Sequence, residues 1–216
     1  MTDELHAFLR SRRSIRRFRP HPLPAAVIRR ILETATYAPS AHNDQPWHFA
    51  VLTTAEAKNH LAEAMTADFR RDLEKDGLPE ADIAARLERS RRRIREAPVV
   101  VILCMDATGM NSYPDTKRQQ AEMTMAVQST ALAGLQLLLT AHAEGLGGVW
   151  TRGPLFAPET VRAALDLPAA WQPQAMLFIG YPEETPSLPE HKPLEEVTLF
   201  LLSQVTSTPV NFENSR

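Results

Sequence analysis

The chain has 216 residues, 44% of them hydrophobic and 23% charged, and a net charge of −2. That suits one compact domain with its own core and gives whole-molecule charge no role in nucleic-acid binding. The single cysteine, Cys104, excludes an internal disulfide framework and a multi-cysteine metal site. No run reaches the roughly 18 apolar residues of a membrane span, and the charged N-terminus lacks a secretory core; the expected location is the cytoplasm.

Asp3 to Leu9 reads as a short helix leading into Arg12-Arg13-Ser14-Ile15-Arg16-Arg17-Phe18. Pro20, Pro22 and Pro24 keep the next stretch extended, and Pro24 suits the start of a helix. That helix runs to about Tyr37, with Val27, Ile28, Ile31, Leu32 and Ala35 on one face. Pro39 ends it. Residues 38–49, Ala-Pro-Ser-Ala-His-Asn-Asp-Gln-Pro-Trp-His-Phe, form a loop by composition, and Trp47 to Thr53 reads as a strand. Ala55 to about Asp72 is helical with Leu61, Met65 and Phe69 inward. After the break at Asp76-Gly77-Leu78-Pro79 a second helix runs to about Glu96. It carries Arg86, Arg89, Arg91, Arg92, Arg93 and Arg95 around a thin stripe of Ile83, Leu87 and Ile94.

Pro98 to Met105 is a buried strand that holds Cys104. The longest helix follows, from about Lys117 to Glu144, with apolar residues on nearly every side. Such a helix crosses a core or forms an interface between subunits, and Ala133-Gly134 allows close approach of a neighbouring backbone. Gly145 suits a left-handed helix stop, and Gly147-Gly148 lets backbone pass close to a flat group. A short helix begins at Pro158, a further buried strand spans Gln174 to Tyr181, and Val197 to Val205 is apolar and β-prone. There is no G-x-G-x-x-G run for a Rossmann dinucleotide site. His42, His48 and His142 show no metal-ligand spacing.

Two stretches carry chemistry. The four arginines and Ser14 of the first are either a solvated basic turn or a grip for an anion, since guanidinium holds phosphate with planar, bidentate bonds. In the second, Asn43 and Gln45 offer amide donors and acceptors for the edge of a heterocycle, with Trp47 and Phe49 as walls. The arginine helix is either a solvated face or a rim that attracts anionic substrate, together with Arg70 and Arg71.

Arg-Arg-Ser-x-Arg-x-Phe at 12–18 followed by Ala-Pro-Ser-x-x-Asn-x-Gln-Pro-Trp at 38–47 resembles the FMN-dependent nitroreductase family. The resemblance runs from about residue 8 to residue 198. It implies an α+β fold, a mixed central sheet flanked by helices, built into a domain-swapped homodimer with FMN at the subunit interface. The whole chain, 1–216, would be one FMN-binding domain with a helical insertion at about 66–96 and a C-terminal extension at about 197–216. The implied FMN contacts are Arg12, Arg13, Ser14 and Arg16 from the first motif, Pro39, Ser40, Asn43 and Gln45 from the second, the Gly147-Gly148 backbone against the ring, and Lys192 with His191 at the phosphate. No side chain is expected to be catalytic and no metal is expected, because hydride transfer belongs to the flavin. Arg16 is the candidate for the guanidinium near N1 and the C2 carbonyl of the ring.

A narrower likeness joins Asp68-Phe69-Arg70-Arg71-Asp72-Leu73, Ser112-Tyr113-Pro114-Asp115 and Ala164-Leu165-Asp166-Leu167-Pro168 to the C-terminal flavin-reductase domain of the FbiB proteins of coenzyme F-420 biosynthesis. It implies an anionic deazaflavin acceptor, the dehydro precursor of that coenzyme, with NAD(P)H or another reductant as donor. The alternatives are a broad-specificity NAD(P)H nitro or quinone reductase and a flavin- or deazaflavin-binding protein without turnover. No nucleic-acid or membrane partner is expected.

Overall fold

A computed structural model describes residues 2–201. The chain divides into two compact units, residues 1–186 and residues 187–216. In the first, the elements run α1 (Thr2–Ser11), α2 (Ala25–Ala35), β1 (Trp47–Leu52), α3 (Ala55–Lys75), α4 (Glu80–Glu96), β2 (Val99–Met105), α5 (Thr116–Ala143), β3 (Gly147–Thr151), α6 (Gly153–Phe156), α7 (Pro158–Ala164) and β4 (Gln172–Gly180). The second holds α8 (Leu194–Val197). The β-prone run expected from Val197 begins with the end of this helix, and its part beyond residue 201 lies outside the described residues.

The four strands are ordered β1-β2-β4-β3 and every neighbouring pair is antiparallel. The sheet is therefore not mixed as expected; the parallel pairing among the described residues is an isolated bridge from Ser14 to Gly148. Every residue of β2 is buried because both faces of the sheet are covered. Val99, Val101 and Leu103 point into one core with α2 and α5, and Val100, Ile102 and Cys104 into the other with α3 and α7, as the two-residue period of a strand requires. Burial pushes the Cys104 thiol up to about 12, which makes it inert at neutral pH.

Helix α5 starts on Asp115, whose carboxylate accepts the Arg118 N–H at 3.0 Å. By length and composition it could cross a membrane, yet Ala126, Ala133, Leu137 and Ala141 are sealed in the core. Gly134 does allow a close approach, but of side chains rather than backbone: a Cβ there would meet Trp150 and Leu103. The outer side of the helix carries uncovered apolar side chains, with Met123, Val127, Leu132 and Leu135 all exposed. Phe69, expected inward, is also exposed.

Candidate functional site

The arginine stretch folds as an extra edge on β3. Ser14 bridges Gly148, the Ile15 N–H donates to the Gly148 carbonyl at 3.1 Å, and the Arg19 N–H donates to the Tyr181 carbonyl at 2.9 Å. Ile15 is the anchor. It is buried, and it fills the space beside Gly147, where a Cβ would stand 2.7 Å from it. A Cβ on Gly148 would stand 2.7 Å from Leu138. Packing alone therefore requires both glycines, and any ligand they touch meets their backbone.

With Ile15 inward, Arg12 and Arg13 line a cavity of about 160 Å³ with His142, Gly147, Gly148 and Pro182. Arg13 is partly committed: its guanidinium donates to the carbonyls of Arg10 (2.6 Å) and Arg12 (2.9 Å), closing the end of α1. His142 stacks on Phe8 at 4.8 Å and shares a 2.8 Å hydrogen bond with the Ser11 hydroxyl. Burial holds the His142 pKa below the usual imidazole range, with the Arg12 and Arg13 charges acting the same way. The cavity is thus a positive, half-enclosed space suited to an anion.

The second motif is a strained loop. His42, Asn43 and Gln45 all have positive φ, at 52°, 58° and 49°, a region that non-glycine residues adopt only when their surroundings impose it. Two bonds impose it. The Gln45 N–H donates to the Ser40 hydroxyl at 3.1 Å, and the Ala41 N–H donates to the Ser129 hydroxyl on α5 at 3.2 Å. Pro39 and the Asn43 and Gln45 side chains are left exposed at the entrance to β1.

One protomer does not bring these two halves together. They border β3 and β1, opposite edges of the sheet, three strand spacings or about 14 Å apart. They touch α5 at His142 and Ser129. Those positions are 142 − 129 = 13 residues apart, about 20 Å along a helix. His191 and Lys192 belong to the second unit, where both are exposed and the His191 ring pairs with the Pro189 carbonyl at 2.9 Å.

The expected arginine rim divides in two. Arg91 and Arg95 turn to Glu63 on α3, Arg92 to Glu96, Arg70 to Glu74 and Glu80, and Arg71 to Asp68. Arg86, Arg89 and Arg93 share another face of α4 and line a separate cavity. His48 stacks on Trp171 at 4.4 Å, 3.9 Å from Asp106; among the described residues no cluster of His, Cys, Asp or Glu could hold a metal.

The profile of the nitroreductase family matches residues 9–181. This chain belongs to the nitroreductase family. A 5,6-dimethylbenzimidazole synthase from Rhodospirillum rubrum is 33% identical over 197 residues, covering 87% of this chain and 86% of that protein. An NADH dehydrogenase from Thermus thermophilus is 32% identical, covering 88% and 92%. Among solved structures, a Desulfovibrio desulfuricans protein in complex with FMN superposes with a TM-score of 0.69 at 26% identity, covering 91% of this chain and 95% of that one. A nitroreductase-like protein from Bacillus cereus superposes with a TM-score of 0.74 at 21% identity, covering 92% and 96%, and supports the fold. This nitroreductase-family chain is accordingly an oxidoreductase of α+β fold.

The residues present fit FMN. The Arg12 guanidinium has no hydrogen-bond or ion-pair partner among the described residues, and Arg12 lines a positive cavity that would take a phosphate. Asn43 and Gln45 are held in a fixed loop with exposed side-chain amides, that of Gln45 reaching the Asn43 carbonyl at 3.5 Å, and these amides would read the edge of a heterocycle.

Proposed function

We propose that this protein is an FMN-dependent reductase that works as a homodimer. The observation that carries the reading is the separation of the two motif halves within one protomer, beside an α5 whose outer side is apolar and uncovered. Antiparallel pairing of two α5 helices would set the His142 end of one copy beside the Ser129 end of the other. Each FMN would then take its phosphate grip from one chain and its ring-edge contacts from the second. Val127, Leu132 and Leu135 would be buried in the process, at about 25 cal/mol per Å² of apolar surface.

Bound FMN supplies the hydride chemistry. Arg12 holds the phosphate, with Arg13 keeping the end of α1 in place beneath it. His142 stays neutral while the cavity is empty of anion and gains basicity when one binds. Arg16, whose guanidinium reaches only the Ser14 carbonyl at 3.3 Å, is free to meet the electron-rich edge of the ring. The loop from Pro39 to Gln45 orients that ring from the other chain.

The electron donor in this reading is NADH or NADPH, and the acceptor is a small electrophile such as a nitroaromatic or a quinone. Within it, the segments 68–73, 112–115 and 164–168 support a narrower acceptor, the dehydro precursor of coenzyme F-420, whose activated double bond lies next to a carboxylate. A cytoplasmic location belongs to the same reading. The 33% identity to a 5,6-dimethylbenzimidazole synthase supports a second reading, in which that benzimidazole is the product.

One assay separates them. The purified protein is loaded with FMN and incubated with NADH or NADPH and a nitroaromatic, a quinone or the deazaflavin precursor, and the products and remaining flavin are quantified. Acceptor reduction with flavin conserved supports the reductase. Formation of 5,6-dimethylbenzimidazole supports the second reading. A protein that takes up no FMN refutes both.

A further inference from the structure

The loop from Pro39 to Gln45 keeps its shape through its own bonds and its place through one residue outside it. The Asn43 N–H donates to the Ser40 carbonyl at 3.2 Å, the Asp44 N–H to the Ala41 carbonyl at 3.0 Å, and the Gln45 N–H to the Ser40 hydroxyl at 3.1 Å. All three bonds lie inside the loop. Among the described residues, the one hydrogen bond from residues 39–45 to another element runs from the Ala41 N–H to the Ser129 hydroxyl on α5, at 3.2 Å. His42, Asn43, Asp44 and Gln45 are exposed, so no layer of packing covers the loop within one chain.

Ser129 is suited to that task. It is 4% exposed, and a buried hydroxyl is costly unless it is bonded. Its proton goes to the Met125 carbonyl at 2.7 Å. That carbonyl already takes the helix bond of residue 129, so the donated bond serves mainly to turn an oxygen lone pair toward Ala41. His42, Asn43 and Gln45 stand at positive φ. Histidine and asparagine enter that region more readily than glutamine, and such strain persists where the surroundings impose it. With the Ser129 hydroxyl gone, the half-buried Ala41 N–H loses its acceptor. The loop is then free to shift as a unit against α5, carrying Asn43 and Gln45 with it.

We propose that Ser129 is a positioning residue that sets the place of the flavin ring, and that it acts on the flavin whose phosphate the other copy holds. The inference rests on the two-copy reading of the site and adds what α5 does in it. His142, at the end of the helix, serves the flavin of its own chain, and Ser129, further back on the same helix, serves the flavin of the second chain. Removing the Ser129 acceptor therefore weakens recognition of the ring and leaves the phosphate grip alone.

The test is fluorescence titration of the flavin-free protein with FMN and with riboflavin, which has the ring and no phosphate. Ser129→Ala weakens both by the same factor, about tenfold for a lost bond that orphans its donor, and the visible bands of the bound flavin shift. Arg12→Ala weakens FMN alone. A merely structural role for Ser129 would lower the melting temperature and leave both affinities in place. Ser129→Cys nearly keeps the volume but offers only a weak acceptor; it behaves as Ser129→Ala and carries the comparison if the alanine variant does not fold. Thr34→Ala, which removes an exposed hydroxyl of α2, changes neither titration. Co-expression of Arg12→Ala and Ser129→Ala chains under different affinity tags isolates the mixed dimer, which holds one FMN at wild-type affinity and one more weakly than either variant. Wild-type protein that takes up no flavin refutes the reading of the site on which the inference rests. Wild-type uptake that Ser129→Ala and Ser129→Cys match overturns the inference alone, and so does a loss confined to FMN, which would put the loop on the phosphate. A mixed dimer with no tight site overturns the assignment of Ser129 to the flavin of the second chain.

Discussion

Gly134→Ala tests the packing that sets α5 against the sheet and thereby positions both halves of the site. A Cβ at Gly134 would stand 2.3 Å from Trp150 Cζ3 and 2.7 Å from Leu103 Cδ2. Both distances are far inside van der Waals contact. Leu103 is 0% exposed and has no space to turn into, so the strain passes to the Trp150 ring and to the spacing of α5 and β3. Overpacking of this kind costs about 1–3 kcal/mol. Alanine is the better helix former by about 1 kcal/mol, which offsets part of the cost. With two clashing atoms the upper half of the range applies, for a net loss of about 1–2 kcal/mol. At about 2–4 °C per kcal/mol for a chain of this size, Tm falls by roughly 2–8 °C. A thermal melt followed by circular dichroism measures it, and tryptophan fluorescence reports the displaced Trp150 ring. The control is Gly109→Ala, where nothing lies within 4 Å of the added Cβ and Tm stays level or rises slightly. A Gly134→Ala protein that melts at or above wild type would refute the reasoning, because propensity would then outweigh a contact that the geometry says cannot relax.

Arg12→Ala removes an unpaired guanidinium from the anion cavity and weakens FMN by about 10- to 150-fold, the range for a lost charge-assisted bond worth about 1.5–3 kcal/mol; fluorescence titration checks this, and unchanged affinity would move the phosphate elsewhere. The His142 pKa lies below its ordinary value of 6.5, so its contribution to stability is present above that pH and is lost as pH falls through the folded value. A phosphate-bearing ligand raises that pKa, which an NMR titration of the imidazole with and without FMN detects as an upward shift; a downward shift would place the anion away from His142. Cys104, with its thiol pushed up to about 12, resists a thiol reagent until the protein unfolds, and fast labelling of the native state would contradict its burial. Asp115→Ala removes the N-cap of α5 and lowers stability by about 0.5–2 kcal/mol in urea denaturation; a neutral result would show that the packed face holds the helix start without the cap.

Much of the fold was legible because the local signals agree with the packing. The stop at Asp76-Gly77-Leu78-Pro79 marks the turn between α3 and α4, and α4 ends at Glu96 as read. The run from Val99 to Met105 could only be a strand covered on both faces. Strand direction was less accessible, because pairing partners lie far apart in sequence, and β3 and β4 are separated by α6 and α7. The four-residue α6 gives no periodic signal. Phe69 reads as core by spacing, yet the cavity beside α4 leaves it open.

The site was legible as two motifs and not as an arrangement. Nothing in residues 38–49 says that the loop enters one edge strand while the arginine stretch lines the other. The arginines of α4 look alike in sequence. Only the position of Glu63 on α3 shows that Arg91 and Arg95 are paired, which leaves Arg86, Arg89 and Arg93 to line the cavity beside α4. His142, which in the sequence shows only the lack of metal-ligand spacing, packs on Phe8, bonds Ser11 and stands beside Arg12 in the anion cavity.

The claim at the centre of this account is that two copies of the chain build each flavin site. Light scattering coupled to size-exclusion chromatography, with absorbance read in the visible flavin bands, tests it in one run. The account predicts a particle of twice the 24.2 kDa chain mass carrying one FMN per chain, and a colourless monomer when Leu135 on the exposed side of α5 is replaced by glutamate. A monomer that carries FMN stoichiometrically would contradict it, because one chain would then have joined two motifs that lie at opposite edges of its sheet.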